Sequence, residues 1–121
     1  MQKIMFVCTG NICRSAMADK LLTKRVKEEN LDIQVFSCGT CAENGDYPTF
    51  EAIETMKEYG VELREHRATN IRNSKIKEMD LILCATTIHK NTVISMYPEL
   101  VGKVYTMKEY AGVVEHRNRY K

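Results

Sequence analysis

The 121-residue sequence has no tryptophan, only two prolines and no long apolar run. A membrane-spanning helix needs about 20 consecutive apolar residues, so no membrane partner is expected. The apolar run near the N-terminus is cut short by polar residues, which does not fit a signal peptide. The formal net charge of +2 is too small to indicate a nucleic-acid partner. These absences predict a cytoplasmic protein that binds neither nucleic acid nor a membrane.

The cysteine pattern does not fit a secreted, disulfide-linked scaffold. The chain has five cysteines, an odd number, and no signal peptide is predicted. The segment Cys38-Gly39-Thr40-Cys41 has the spacing of some zinc and redox sites, but a zinc site needs two further ligands, and His66 and His89 have no paired partner nearby in the sequence. We therefore predict no metal ion and no cofactor. The five residues are Cys8, Cys13, Cys38, Cys41 and Cys84.

The order of predicted elements indicates an α/β fold within a single domain over residues 1–121. Strands are predicted over 2–7, 33–37, 81–85 and 103–106, and helices over 15–29, 48–59 and 87–96. A short helix is predicted at 74–78, one helical turn at 107–110 and a charged tail at 112–121. Strands that alternate with helices imply a four-stranded parallel sheet with helices on both faces. Ligands of such sheets bind at the carboxyl ends of the strands.

The segment between the first strand and the first helix has the residues for anion chemistry. It runs Cys8-Thr9-Gly10-Asn11-Ile12-Cys13-Arg14-Ser15. A helix N-terminus offers unpaired N–H groups and the positive end of a dipole, both of which suit an oxyanion. The same positive charge favours the thiolate of Cys8, the nucleophilic form of cysteine. Arg14 can hold two phosphate oxygens through its planar guanidinium.

This loop resembles the active-site loop of the low-molecular-weight protein tyrosine phosphatases, which has the pattern Cys-x5-Arg-Ser. The resemblance implies two-step phosphoryl transfer without a metal, in which Cys8 is phosphorylated and water then releases phosphate. It implies that Cys8, Arg14 and Ser15 are catalytic, with the Ser15 hydroxyl favouring the thiolate. It also implies a phosphate-binding loop after the first strand, formed by Thr9, Gly10, Asn11, Ile12, Cys13, Arg14 and Ser15.

The resemblance continues to about residue 111 and then stops. Further segments that resemble the family are Ser37-Cys38-Gly39-Thr40, Glu65-His66-Arg67-Ala68, Asp80-Leu81-Ile82-Leu83 and 104–110. The family next carries an Asp-Pro loop with the general acid, but here no aspartate follows Asp80 and no proline follows Pro98. The resemblance therefore implies a phosphatase weakened by loss of its general acid. The remaining candidate proton donors are His89, Glu99, Glu109, Glu115 and His116.

The departure from the family also bears on association and on the histidines. A C-terminal helix covers part of the sheet in the family, so its absence from this sequence predicts open apolar surface and some self-association. Val113, Val114 and Tyr120 could cover part of that surface. The three histidines, His66, His89 and His116, are expected at the surface rather than in catalysis.

The nature of the substrate stays open at this point. A phosphorylated protein or a small aryl phosphate is the expected partner, and the bulky aliphatic Ile12 resembles the phosphotyrosine branch. Protein arginine phosphatase, whose branch has threonine at that position, is the first alternative. Arsenate reductase, which would need further thiols near Cys84, and a non-catalytic phosphate-binding module are the others. In the family a second loop cysteine, here Cys13, can pair with the nucleophile under oxidation.

Overall fold

The computed structural model describes the backbone of residues 1–119 and the side chains of residues 1–117. The strands are β1 Gln2–Cys8, β2 Ile33–Gly39, β3 Leu81–Cys84 and β4 Val104–Thr106. The helices are α1 Arg14–Glu28, α2 Phe50–Glu58, α3 Thr87–Met96 and α4 Met107–Arg119. Short 3-10 segments cover Ile71–Asn73, Ile76–Glu78 and Pro98–Lys103. The strands form one sheet in the order β2-β1-β3-β4, with every neighbouring pair parallel. The predicted fold class is confirmed.

The sheet is apolar on both faces because helices cover both of them. From β1, Met5 and Val7 point into a core that includes Val93 of α3. Ile4 and Phe6 point to the opposite face, where they pack against side chains of α1 and α4. Strand β1 therefore reads as a nearly continuous apolar run, as expected for a strand buried on both faces. Its central position places residue 8 between the ends of β2 and β3.

Helix α2 begins later than predicted. Pro48 lies outside it, and Thr49 is the N-cap, whose side chain accepts a hydrogen bond from the Ala52 N–H at 3.1 Å. A threonine hydroxyl satisfies an N–H of the first turn, so Thr49 fixes the start of the helix more strongly than the proline does. The helix ends before Gly60, whose φ of 70° is comfortable only for glycine. Met56 of α2 packs against α1 in a separate core cluster.

The prediction of one helical turn and a charged tail near the C-terminus was wrong. Helix α4 continues to Arg119, and its start is set by a capping box between Thr106 and Glu109. The Glu109 carboxylate accepts the Thr106 N–H at 2.8 Å, and the Thr106 hydroxyl accepts the Glu109 N–H at 3.0 Å. The Thr-x-x-Glu spacing is visible in the sequence and could have predicted this start. Tyr120 and Lys121, part of the predicted tail, lie outside the described residues.

Within residues 1–119, no helix is both long enough and apolar enough to span a membrane.

Candidate active site

The loop over residues 9–13 leaves the carboxyl end of the central strand and leads directly into α1. Cys8, the last residue of β1, is 3% exposed. Its carbonyl accepts the Thr40 N–H at 2.9 Å, and the Thr9 carbonyl accepts the Cys41 N–H at 2.9 Å. Thr40 and Cys41, which follow β2, therefore hold the first part of the loop through two backbone hydrogen bonds. The sheet position of Cys8 agrees with the rule that parallel sheets bind ligands at the carboxyl ends of their strands.

The backbone of the loop has its carbonyls paired and its amides open. The carbonyls of Asn11, Ile12 and Cys13 accept hydrogen bonds from His66 Nε2–H, Thr49 N–H and Met17 N–H. By contrast, the N–H groups of residues 9–15 donate to no other described residue. Polar groups of a folded chain rarely go unpaired together at one place. A loop with this backbone can offer several donors to one anion.

Asn11 holds the loop in this shape. It is fully buried and has a φ of 56°, in the left-handed region that asparagine tolerates better than most residues. Its Oδ1 accepts the Thr69 N–H at 2.8 Å, so the amide nitrogen must face the other way. That Nδ2 group donates to Ser15 Oγ at 2.9 Å. Asn11 therefore joins the loop to the segment after α2 and to the first turn of α1.

Ser15 contacts the sulfur of Cys8. Its Oγ is 2.9 Å from Cys8 Sγ and 3.4 Å from the Cys38 carbonyl oxygen. Because Ser15 already accepts from Asn11, its own hydrogen is left to donate, and the sulfur is the closer acceptor. A hydroxyl polarised in this way stabilises a thiolate more strongly than a lone hydroxyl does. The predicted contact between Ser15 and Cys8 is present in the structure.

His66 supports the loop from behind and was not predicted to do so. It is 7% exposed, so the expected surface position was wrong. Its Nε2 lies 2.7 Å from the Asn11 carbonyl oxygen, which can only accept, so this nitrogen carries the hydrogen. Burial lowers the pKa of His66, and the bond to the Asn11 carbonyl partly offsets that effect. His66 is therefore a neutral donor that fixes the tip of the loop.

Gly39 makes the close approach of β2 to the loop feasible. A Cβ added there would clash with the Thr9 carbonyl oxygen and lie 2.9 Å from the Asn11 nitrogen. Real Cβ atoms essentially never show such separations. Glycine is needed here for space, not for an unusual backbone conformation. The resemblance pointed to this glycine, but the sequence could not indicate what it touches.

His89 contacts the loop from the side of α3. It is 5% exposed, so its expected surface position was wrong as well. Its Nε2 lies 2.7 Å from Thr9 Oγ1, and its Nδ1 lies 2.8 Å from Thr86 Oγ1. Thr86 is also the N-cap of α3, which fixes the backbone of the histidine. Burial, followed by the positive charge of Arg14, lowers the pKa of His89.

Arg14 stands at the start of α1 with its side chain exposed. It forms no ion pair or side-chain hydrogen bond with any residue that the structure describes. Arg14 directly follows the loop of open amides at the N-terminal end of a helix, and its charge acts on His89, which contacts the same loop. The positive charges of the helix dipole and the guanidinium therefore add at one place.

The other thiols differ from Cys8 in their surroundings. Cys38 and Cys84 are fully buried, and burial raises the pKa of each to about 12. Both are therefore protonated and inert near neutral pH, because the thiolate is the reactive form. This is unfavourable for Cys84 as a relay thiol of an arsenate reductase. Cys41 is exposed, and Cys13, within the loop, is half-buried.

Glu109, one of the candidate proton donors, has a structural role instead. Glu109 accepts the Thr106 N–H and pairs with Lys90 Nζ at 3.0 Å. The Thr106 N–H, and then Lys90, lower the pKa of Glu109. Glu109 is therefore held as a carboxylate, which is the wrong form for a proton donor. Glu115 and His116 lie further along α4, and both have interactions within the protein.

A cysteine at the end of a central parallel strand, below a loop of open amides and an arginine, defines the class of cysteine-dependent phosphatases. The model of the family described as low molecular weight phosphotyrosine protein phosphatase matches residues 3–119. The chain belongs to this family.

Individual relatives agree with that assignment. The chain is 36% identical to a protein-arginine-phosphatase of Bacillus subtilis over 107 residues, which cover 88% of this chain and 71% of that protein. It is 35% identical to the probable low molecular weight protein-tyrosine-phosphatase EpsP of Ralstonia nicotianae, over 88% of this chain and 70% of that one. The crystal structure of a low molecular weight protein tyrosine phosphatase from T. tengcongensis superposes with a TM-score of 0.87 at 38% identity. That match covers 93% of this chain and 77% of the other.

Proposed function

We propose that the protein hydrolyses phosphotyrosine in proteins through a phosphocysteine intermediate. The observation that carries the proposal is the loop backbone, whose carbonyls are paired while the amides of residues 9–15 stay open beside Arg14. In this proposal, those donors and Arg14 bind the equatorial oxygens of the phosphoryl group that Cys8 attacks. Donors that are held in place before the reaction need no reorganisation when charge develops on the phosphoryl oxygens.

The reaction proceeds in two displacements at phosphorus. In the first, the Cys8 thiolate forms a P–S bond while the P–O bond to tyrosine breaks, and the phenolate leaves with its electron pair and takes up a proton. In the second, water gives up a proton and forms a P–O bond while the P–S bond breaks, which releases phosphate and restores the thiolate. The Ser15 hydroxyl, 2.9 Å from Cys8 Sγ, stabilises the thiolate before the first step and after the second.

Protonation of the leaving group is the weak step of the proposed enzyme. A general acid contributes about 10²–10⁴-fold to such a step, and Glu109 is committed to capping α4. We therefore expect the phosphorylation rate to fall steeply across a series of aryl phosphates as the leaving-group pKa rises. A flat series would show that a general acid operates, and Glu115→Gln would be the first variant to examine.

Steady-state turnover of nitrophenyl phosphate tests the proposal directly. Cys8→Ser should abolish measurable turnover while phosphate binding persists, because the open amides and Arg14 remain. Cys41→Ser is the matched control, since Cys41 is an exposed cysteine beside the same loop, and it should stay within about twofold of the parent. Phosphate binding without any turnover that depends on Cys8 would instead support a non-catalytic phosphate-binding module.

Protein arginine phosphatase is the second candidate, and the 36% identity to the Bacillus subtilis protein-arginine-phosphatase favours it. Ile12, half-buried in the loop, favours phosphotyrosine, since the resemblance associates threonine at this position with the arginine branch. Matched peptides that carry phosphotyrosine or phosphoarginine separate the two. Faster turnover of the phosphoarginine peptide by the parent would overturn the first choice, and Ile12→Thr should shift the ratio towards phosphoarginine.

A further inference from the structure

The side chain of His89 bridges the loop and the start of α3 through two hydroxyl groups. Its Nε2 faces Thr9 Oγ1 at 2.7 Å and its Nδ1 faces Thr86 Oγ1 at 2.8 Å. A hydroxyl can donate or accept a hydrogen bond. Both contacts therefore survive in either neutral tautomer of the ring and in the imidazolium. His89 can gain or lose a proton without breaking a hydrogen bond.

His66 shows by contrast why the identity of the partner matters. Its Nε2 faces the Asn11 carbonyl oxygen, which only accepts, so that nitrogen must always carry a hydrogen. His66 lies behind the loop, whereas His89 contacts Thr9, the residue that directly follows Cys8. Of the two buried histidines, His89 is therefore the one that contacts the residue beside Cys8, through Thr9 Oγ1.

Among the described residues, the groups to consider beside His89 are Arg14, the Lys90–Glu109 pair and Cys8, which directly precedes Thr9. Arg14, at the start of α1, is the charged side chain that acts on it, and its positive charge opposes protonation of the ring. Lys90, the next residue of α3, is paired with Glu109 of α4 at 3.0 Å. The direct partners of the ring, Thr9 and Thr86, are uncharged. A dianion bound at the loop would offset the charge of Arg14 and add an attraction of its own for a positive ring.

We propose that His89 is a positioning residue that takes up a proton when an oxyanion dianion binds the loop. In the protonated ring Nε2 donates to Thr9 Oγ1, so the hydrogen of the Thr9 hydroxyl is no longer needed for the bond to His89. This inference rests on the proposed function, because it needs the loop to bind a tetrahedral anion. Linkage makes the effect reciprocal: the anion raises the proton affinity of His89, and protonated His89 raises the affinity for the anion by the same factor.

Sulfate is the appropriate probe, since its charge stays constant over the range in which histidine titrates, about pH 5 to 8. The ring proton of His89 is followed by NMR during pH titrations in sulfate and in chloride at equal ionic strength. The signal that disappears in His89→Gln assigns the ring. We expect saturating sulfate to raise the pKa of His89 by about one unit, equivalent to about tenfold tighter sulfate binding by the protonated form. His116, exposed on α4, serves as the internal reference.

Calorimetry of sulfate binding gives the second measurement. It uses the full chain with Cys8→Ser, so that titration of the thiol does not contribute. Affinity should rise about tenfold as the pH falls through the pKa of His89, and His89→Gln should remove this dependence, since an amide keeps one hydrogen bond but does not titrate. His116→Gln, the matched substitution on α4, should retain it.

The outcomes separate the two proposals. Sulfate that binds without changing the pKa of His89, or a pH dependence that persists in His89→Gln, would overturn the inference and leave the phosphatase proposal intact. No sulfate binding in the unmodified chain would overturn both. The NMR titration itself is made on the unmodified chain, and His89→Gln serves only to assign one of three histidine resonances, since His66 and His116 are the sole other histidines.

Discussion

Two asparagines with nearly the same backbone conformation allow the contribution of the loop tip to be measured. Asn11 has a φ of 56° and Asn30, after the end of α1, has a φ of 50°. Asn11 is fully buried, whereas Asn30 is exposed and its side chain makes no hydrogen bond with a described residue. Glycine adopts a positive φ without strain. Asn→Gly at each position therefore keeps the backbone comfortable and removes only the side chain.

The structure predicts a large difference between the two variants. Asn11→Gly removes the bond to Ser15, worth about 1 kcal/mol. It also leaves the Thr69 N–H without its partner, which costs about 1–3 kcal/mol. We expect the free energy of unfolding to fall by about 2–4 kcal/mol for Asn11→Gly, and by less than about 0.5 kcal/mol for Asn30→Gly.

Urea unfolding followed by circular dichroism measures both values, with tyrosine fluorescence as a second probe because the chain has six tyrosines and no tryptophan. A protein of this size has a stability of about 5–15 kcal/mol, so Asn11→Gly should still fold. Its turnover of nitrophenyl phosphate should fall about 10²-fold, since small displacements of a catalytic group are costly. A stability loss within about 1 kcal/mol of that of Asn30→Gly would refute the role assigned to the Asn11 side chain.

Three further predictions use other parts of the site. Gly39→Ala should lower turnover at least about tenfold because its Cβ would displace the loop, whereas Gly102→Ala, with nothing within 4 Å of the added Cβ, should leave turnover unchanged. Mild peroxide should give a reducible Cys8–Cys13 disulfide, and mass spectrometry that found only sulfinate at Cys8 would contradict this. Burial lowers the pKa of His66, so on acidification the unfolded state takes up this proton before the folded state does. The free energy of unfolding should therefore fall as the pH drops below about 6.5. Urea unfolding at several pH values measures this dependence, and His66→Gln should flatten it.

The fold was predictable because its signals are local. The apolar runs of β1 and β3 and the alternation of strands and helices suffice for a parallel sheet. The loop was predictable for the same reason, since its residues are consecutive and their types are specific. The start of α2 was misplaced where two local signals competed, since the capping by Thr49 outweighs Pro48, whereas α4 was missed although its capping box is visible in the sequence.

What the sequence could not predict are the groups that hold the loop from a distance. Thr69 and His66 meet Asn11 across 58 and 55 residues of chain, and His89 meets Thr9 across 80. No spacing rule links such positions, because the sheet order brings them together only after the chain has folded. Histidines also occur commonly on protein surfaces, so residue type alone gave no reason to place either one beside the loop.

The two buried histidines differ in the hydrogen-bonding roles open to their ring nitrogens, and the partners of the rings, not their burial, cause the difference. Burial lowers the pKa of both rings. At His66 the partner is a carbonyl, which requires a hydrogen on the facing nitrogen and so makes the ring a fixed donor to the Asn11 backbone. At His89 the partners are hydroxyls, which can donate to or accept from a ring nitrogen and so keep a hydrogen bond in every protonation state. A histidine whose Nε2 can only donate and a histidine whose two ring nitrogens can each donate or accept thus arise from the same residue type, and the difference lies in a carbonyl at one and two threonine hydroxyls at the other.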